Sequence, residues 1–134
     1  MTPKNPDILL VDDDADLRRT LYLLLDGPYT LAEAANGEEA LRFLKTSRPR
    51  LVLMDVSMPG MSGLEVLRAA RELDKTLKVV MITSHQEMEL AKSALDLGAA
   101  AYVTKPFDAD FIRGEVSRLL GAPAKVSGRP WRVE

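Results

Sequence analysis

Acidic side chains stand directly after two apolar segments of this chain. Asp12 and Asp13 follow the run at residues 8–11, and Asp55 follows the run at residues 51–54. Uninterrupted apolar runs of this length are typical of strands buried on both faces of a parallel sheet. Because open α/β sheets keep their chemistry at the carboxyl ends of strands, we expect these carboxylates at a functional edge. For Asp55 taken alone, the alternative is an Asp that only caps a loop.

Two further polar side chains follow later strand-like runs. Thr83 ends the run that begins at Lys78, and Lys105 lies just past a short run at residues 100–103. Asp55 lies 43 residues after Asp12, Thr83 lies 28 after Asp55, and Lys105 lies 22 after Thr83. These separations correspond to two strand–helix units and then to one unit each. Parallel strands would therefore bring all of these side chains to one edge of the sheet.

The residue types at this edge suit phosphoryl transfer. Three crowded carboxylates repel one another and raise one another's pKa unless a cation lies between them. Mg²⁺ is the natural cation for oxygen ligands and phosphate together, and Mn²⁺ could take its place. Lys105 adds a positive charge and Thr83 a hydroxyl donor, so the set contains an oxygen nucleophile, a metal site and donors for phosphoryl oxygens.

Strand-like and helix-like segments alternate five times along the chain. This alternation predicts an α/β fold with a parallel sheet and helices on both faces. We expect the flavodoxin-like (βα)5 three-layer sandwich with strand order 2-1-3-4-5, in which the strands ending on Asp12 and Asp55 are neighbours. Helix caps are predicted at Asp14, Asn36, Ser62 and Ser84, the last two as capping boxes. The final helix should bury its apolar residues, which are Phe111, Ile112, Val116, Leu119 and Leu120.

Composition places the chain among ordinary globular proteins. It has 134 residues, a net charge of −2 and no cysteine, which excludes disulfides and thiolate metal sites. We expect one domain over residues 1–121, while residues 122–134 lose all periodicity and are predicted to be a flexible tail or linker. The absence of a signal-peptide pattern, a long apolar run or a basic patch predicts a cytoplasmic protein that binds neither membrane nor nucleic acid directly.

Five short motifs in order resemble those of one family, the receiver domain of two-component response regulators. They are Leu10-Val11-Asp12-Asp13, Asp55, Met58-Pro59-Gly60, Thr83-Ser84 and Lys105-Pro106-Phe107. Each motif alone is weak, but their order and their strand-end positions are specific. The resemblance covers residues from about 6 to 121.

The resemblance implies roles for the acidic residues. Asp55 would accept a phosphoryl group from a phosphohistidine on a sensor histidine kinase or a phosphotransfer protein. Asp13, Asp55 and the backbone carbonyl of Ser57 would bind Mg²⁺. Asp12 would contribute to the metal site through water and pair with Lys105.

The resemblance also implies a switch. Thr83 would bond to a phosphoryl oxygen, with Ser84 beside it, and Tyr102 would change orientation; a static, half-buried Tyr102 is the alternative. Lys105–Pro106 would be a cis peptide bond, as X-Pro bonds permit. Ser57 and His85, each two positions after a site residue, would flank the phosphoryl group and tune dephosphorylation.

Partners are implied for the face formed by the fourth helix, the fifth strand and the fifth helix. In the family this face carries partner binding or dimerisation, so a downstream effector domain or protein and a phosphorylation-linked homodimer are expected. Ala100 and Ala101 replace an acidic pair that one subgroup uses for intersubunit salt bridges. The domain would catalyse only its own phosphorylation and dephosphorylation and would not be an enzyme for an external substrate.

The alternative function is a small phosphatase of the haloacid dehalogenase type. That class uses two Asp residues two positions apart, a spacing that Asp12 and Asp14 match. Thr83 and Lys105 could supply its later polar groups. Against it, the chain has no room for a cap insertion, and Asp55 would have no role.

Overall fold

Five short strands form one parallel sheet in the computed structural model, which describes residues 5–121. The strand order is β2-β1-β3-β4-β5, as the sequence predicts. The strands are β1 Ile8–Val11, β2 Leu31–Ala34, β3 Leu51–Asp55, β4 Lys78–Thr83 and β5 Ala101–Thr104. Every residue of β1 and β3 is buried, which explains their unbroken apolar sequences. The predicted tail at residues 122–134 lies outside the described residues.

Five α-helices cover the two faces of the sheet and complete the three-layer sandwich. They are α1 Ala15–Leu25, α2 Gly37–Thr46, α3 Gly63–Leu73, α4 Met88–Asp96 and α5 Ala109–Leu120. Buried side chains of α1 and α5 pack in one core cluster, whereas those of α2, α3 and α4 pack in the other. Alternate residues of β1 enter the two clusters, so Leu9 and Leu10 face opposite helical layers.

Side-chain caps begin three of the helices at the predicted residues. The Asp14 carboxylate accepts hydrogen bonds from the backbone N–H groups of Asp16 and Leu17 at the start of α1. Asn36 caps α2, and Ser62 forms a complete capping box with Glu65 before α3. These caps satisfy backbone donors that have no partner within the helix. They fix where each helix leaves the loop at the carboxyl edge of the sheet.

Two local predictions are wrong. The segment after β4 begins with a 3₁₀ turn at His85–Glu87, and Ser84 makes no capping bond to backbone. The Ser84 hydroxyl instead donates to the Glu87 carboxylate at 3.2 Å, so α4 starts only at Met88. Phe111 was expected in the core but is 51% exposed, because it points away from the sheet on the first turn of α5. Ile112, next to it, fills the core instead.

Helix lengths in the described part of the chain are those of a layered globular domain. No helix between residues 5 and 121 has both the length and the apolar character needed to cross a bilayer.

Candidate functional site

The carboxyl ends of β1 and β3 bring three aspartates together. One carboxylate oxygen from each of Asp12, Asp13 and Asp55 lies within 4.8 Å of the others. Asp12 and Asp55 are buried and Asp13 is exposed. The cluster forms because β1 and β3 are paired neighbours, with Val11 opposite Met54, so both strands end at the same level. The sequence prediction that these residues meet is therefore matched by the geometry.

Asp12 is held closely but keeps one carboxylate oxygen without a partner. Its backbone N–H donates to the carbonyl of Ala34 at 3.2 Å, and its Oδ1 accepts from the backbone N–H of Asp14 at 2.8 Å. Its Oδ2 is buried and has no hydrogen-bond partner among residues 5–121. The pKa of the Asp12 carboxyl is raised to about 6, chiefly by burial and also by nearby Asp55, while the hydrogen bond from the Asp14 N–H partly offsets the rise. A buried acceptor without a donor is costly, so this oxygen suits a cation ligand.

Asp55, the last residue of β3, is 6% exposed. Its Oδ1 accepts from the backbone N–H of Ser57 at 3.0 Å, and its Oδ2 lies 3.4 Å from Lys105 Nζ. Burial raises the pKa of the Asp55 carboxyl, and the Ser57 N–H and the Lys105 charge partly offset this. The resemblance paired Lys105 with Asp12, whereas the ion pair observed is with Asp55. A long lysine side chain can reach either carboxylate, so the sequence did not determine which one it contacts.

The donor set fits a hard divalent cation. The cluster offers three carboxylates, one of which has the unpartnered Asp12 Oδ2, and carboxylate oxygens are the kind of ligand that Mg²⁺ prefers. A bound cation would also relieve the mutual repulsion of these carboxylates. Ser57 is exposed in the loop after β3, and its predicted ligand, the backbone carbonyl, stays a prediction.

The end of β4 places a buried hydroxyl at the same edge of the sheet as the acidic cluster, because Ile82, the residue before Thr83, pairs with Asp55. Thr83 has no exposed surface, and its Oγ1 donates to the backbone carbonyl of Ser84 at 3.0 Å. Glu87, held by the Ser84 hydroxyl, is near enough to raise the pKa of the Asp55 carboxyl. The sequence predicted Glu87 as the capping-box partner of Ser84 and did not predict its approach to Asp55.

Lys105 follows β5 and approaches the site across β4. Its backbone N–H donates to the carbonyl of Thr83 at 2.7 Å, and its peptide bond to Pro106 is cis. Tyr102 is half-buried on β5, where it packs at the border of the core cluster beneath α2, α3 and α4. His85 is exposed on the 3₁₀ turn. The strand ends thus bring Thr83 and Lys105 to the aspartates, while Tyr102 lies further along the sheet.

Gly63 is a positioning residue that sequence reasoning missed. It is the first residue of α3, and a Cβ there would lie 2.5 Å from the carbonyl oxygen of Asp55 and 2.9 Å from Met81 Cε. Its backbone N–H donates to the carbonyl of Val56 at 3.0 Å. Only a residue without a side chain lets α3 start this close to the carboxyl end of β3. A glycine directly after the Ser62 cap was the available signal.

The sheet is doubly wound, and its strand order reverses between β1 and β3. The acidic cluster lies at this reversal, where proteins with such sheets bind their ligands. The family model "Response regulator receiver domain" matches residues 8–117. The chain belongs to this family and is a receiver domain of two-component response regulators.

Individual relatives agree with the family match. The chain is 37% identical over 117 residues to sporulation initiation phosphotransferase F of Bacillus subtilis, covering 87% of this chain and 94% of that protein. It is 38% identical over 114 residues to the DNA-binding transcriptional regulator NtrC of Escherichia coli, covering 84% of this chain but only 24% of that protein. The crystal structure of the receiver domain of NtrX from Brucella abortus superposes with a TM-score of 0.81 at 35% identity, covering 85% of this chain and 98% of that one.

The alternative of a haloacid-dehalogenase-type phosphatase is not supported. The comparisons identify a receiver domain, and Asp14 lies outside the acidic cluster of the described residues. Its carboxylate caps α1, which is the structural role that explains the Asp12–Asp14 spacing.

Proposed function

We propose that Asp55 is the phosphoacceptor of this receiver domain and that a sensor histidine kinase or a phosphotransfer protein is its donor. The observation that carries the proposal is the position of Asp55. It is a buried carboxylate at the end of β3, in contact with Lys105 and in one cluster with Asp12 and Asp13.

In the proposed transfer, a carboxylate oxygen of Asp55 forms a bond to phosphorus as the bond between phosphorus and the donor's imidazole nitrogen breaks. The released imidazole keeps the bonding electron pair. Asp55 becomes an acyl phosphate, and water later attacks its phosphorus, which releases inorganic phosphate and regenerates the carboxylate. Lys105 Nζ, 3.4 Å from Asp55 Oδ2, offsets negative charge on the transferred group.

Mg²⁺ is the cofactor that this site would hold, with Mn²⁺ as a substitute. Asp12, Asp13, Asp55 and the backbone carbonyl of Ser57 are the proposed ligands, Asp12 through water. The bound cation would supply charge stabilisation for the phosphoryl oxygens. The unpartnered Asp12 Oδ2 supports this assignment.

Phosphorylation would act as a switch through β4 and β5. It adds nearly two negative charges and three acceptors at Asp55. The Thr83 hydroxyl would leave the carbonyl of Ser84 to bond to a phosphoryl oxygen, and Lys105 would follow the new charge. Tyr102 would then change orientation and shift the population of conformations on the face formed by α4, β5 and α5.

Ser57 and His85 would set how long the phosphorylated state lasts. Both are exposed and lie on the loops that follow β3 and β4. In these positions their side chains would flank the phosphoryl group and control the approach of water.

The output would pass to a downstream effector domain or protein, with a phosphorylation-linked homodimer as one form of it. Leu90 and Leu95 on α4 and Phe111 on α5 are exposed apolar side chains on two of the elements that form this face, and they suit a partner contact. NtrC, of which the chain spans 24%, is described as a DNA-binding transcriptional regulator. The domain itself would turn over no external substrate.

Incubation with Mg²⁺ and acetyl phosphate tests the proposal. We expect one acid-labile phosphoryl group on the wild-type protein and none on Asp55→Asn. Asp96→Asn, a change of an exposed aspartate on α4, is the matched control and should be modified like wild type. Modification of Asp55→Asn at the wild-type level would exclude Asp55 as the acceptor.

A further inference from the structure

Arg18 on α1 makes a contact to the acidic loop that the proposed chemistry does not use. Its Nη1 donates to the backbone carbonyl of Asp12 at 2.6 Å, and its Nε donates to Glu33 Oε1 at 3.0 Å. The Arg18 side chain is 18% exposed, so this guanidinium is largely removed from water. It connects α1, the end of β1 and the edge strand β2.

With this contact, three hydrogen bonds fix the position of Asp12. The N–H of Asp12 is bound by Ala34, its carbonyl by Arg18, and its Oδ1 by the N–H of Asp14. Fixing the carbonyl fixes the plane of the peptide bond between Asp12 and Asp13, and with it the position of the Asp13 Cα from which that side chain extends. The one polar atom left over is Asp12 Oδ2.

We propose that Arg18 is a positioning residue for the metal-binding loop and that Glu33 holds Arg18 in place. The inference rests on the proposed Mg²⁺ site. Arg18 touches neither the cation nor the phosphoryl group in this proposal. It acts by keeping the Asp12 and Asp13 carboxylates in the arrangement that the cation needs, as outer partners of metal ligands generally do.

The direction of the change in Mg²⁺ affinity distinguishes a positioning role of Arg18 from a purely electrostatic one. A guanidinium near a cation site repels the cation, so loss of its charge alone would strengthen Mg²⁺ binding. Loss of its hydrogen bond to Asp12 frees the loop and would weaken binding. Weaker binding after removal of a positive charge therefore has no electrostatic explanation.

Mg²⁺ titration of the full chain, followed by amide NMR shifts at residues 12–14, tests the proposal. We expect Arg18→Met to weaken Mg²⁺ binding by about 10-fold or more, the range known for outer partners of metal ligands. Arg19→Met is the matched control, because Arg19 is the adjacent arginine and its exposed side chain makes no hydrogen bond or ion pair within residues 5–121. It should bind Mg²⁺ as wild type does or slightly more tightly.

Two milder variants keep the proposal testable if Arg18→Met fails to fold. Arg18→Lys keeps the charge but lacks the planar fork, so it should give an intermediate loss of affinity. Glu33→Gln should give a smaller loss in the same direction. Thermal unfolding in a chelator reports whether each variant is folded.

The outcomes separate this inference from the proposed function. Absence of Mg²⁺ binding by the wild-type protein would overturn the metal site and this inference with it. Normal wild-type binding with equal or tighter binding by Arg18→Met and Arg18→Lys would overturn the positioning role alone. Equal weakening by Arg19→Met would also overturn it, because the effect would not depend on the contact to Asp12.

Discussion

Asp12 destabilises the folded chain at neutral pH when no cation is bound. Asp12 is 1% exposed, its Oδ2 has no partner in the described part of the chain, and burial is the largest cause of its raised pKa. The Asp12 carboxyl therefore binds a proton more tightly in the folded than in the unfolded protein. Residues that serve a charged ligand often reduce stability in this way, because their partner is absent from the protein itself.

The first prediction concerns the pH dependence of this effect. Between pH 3.8 and about 6, folded Asp12 holds more protons than unfolded Asp12, so the free energy of unfolding should fall as pH rises through this window. A rise of this size in the pKa corresponds to a loss of about 3 kcal/mol in the free energy of unfolding at neutral pH. Asp12→Asn should remove this loss and give a flatter profile. Urea unfolding in a chelator, at several pH values for both proteins, measures it.

Asp55 also has a raised pKa, so the free energy of unfolding of Asp12→Asn should still depend partly on pH. The prediction therefore concerns the difference between the wild-type and variant profiles. Addition of Mg²⁺ at neutral pH should stabilise the wild-type protein more than the variant, since the ion binds only the folded site. Identical pH profiles for wild type and Asp12→Asn would contradict the prediction.

At the scale of elements, the loops after β3 and β4 share one sequence pattern but differ in structure. Both contain a Ser followed three residues later by Glu, which is the capping-box pattern. Ser62 and Glu65 form the box with backbone bonds of 3.3 Å and 2.9 Å. The Ser84 hydroxyl donates to the Glu87 carboxylate instead of capping backbone N–H groups, because a 3₁₀ turn intervenes before α4.

This difference gives the second prediction. Ser62→Ala should lower the free energy of unfolding by about 1 kcal/mol, the usual effect of losing a side-chain cap. Ser84→Ala should change it by less than about 0.5 kcal/mol, since it removes one partly exposed side-chain bond. Chemical denaturation of both variants measures the two effects side by side. An equal loss in both would mean that Ser84 caps α4 in solution.

The sequence was most informative where one signal acts locally. The apolar runs of β1 and β3, the caps at Asp14 and Ser62, and the strand-end positions of Asp12 and Asp55 were all predicted correctly. The start of α4, the exposure of Phe111 and the approach of Glu87 to Asp55 were not. Each of these depends on how a helix is set against the sheet, which a pattern of apolar residues does not specify.

At the scale of the whole molecule, the sheet connects the site to a distant surface. Thr83 pairs in register with Thr104, and Met81 pairs with Tyr102, so β4 joins the acidic edge to β5. Lys105 adds a second link through its backbone bond to Thr83. A change at Asp55 can therefore reach the face formed by α4, β5 and α5 through contacts that are already made.

The third prediction tests that path with beryllofluoride, a mimic of the phosphoryl group, in the presence of Mg²⁺. In the wild-type protein we expect amide NMR shifts near Asp55 and also at Tyr102 and Leu95. Thr83→Ala should keep the shifts near Asp55 and lose most of those at the distant face, because the hydroxyl that would leave the carbonyl of Ser84 is gone. Thr104→Ala, which changes the half-buried residue paired with Thr83 in the sheet, is the control and should respond like wild type. Undiminished distant shifts in Thr83→Ala would show that the signal leaves the site without Thr83, which would leave the Lys105 link as the route from Asp55 to β5.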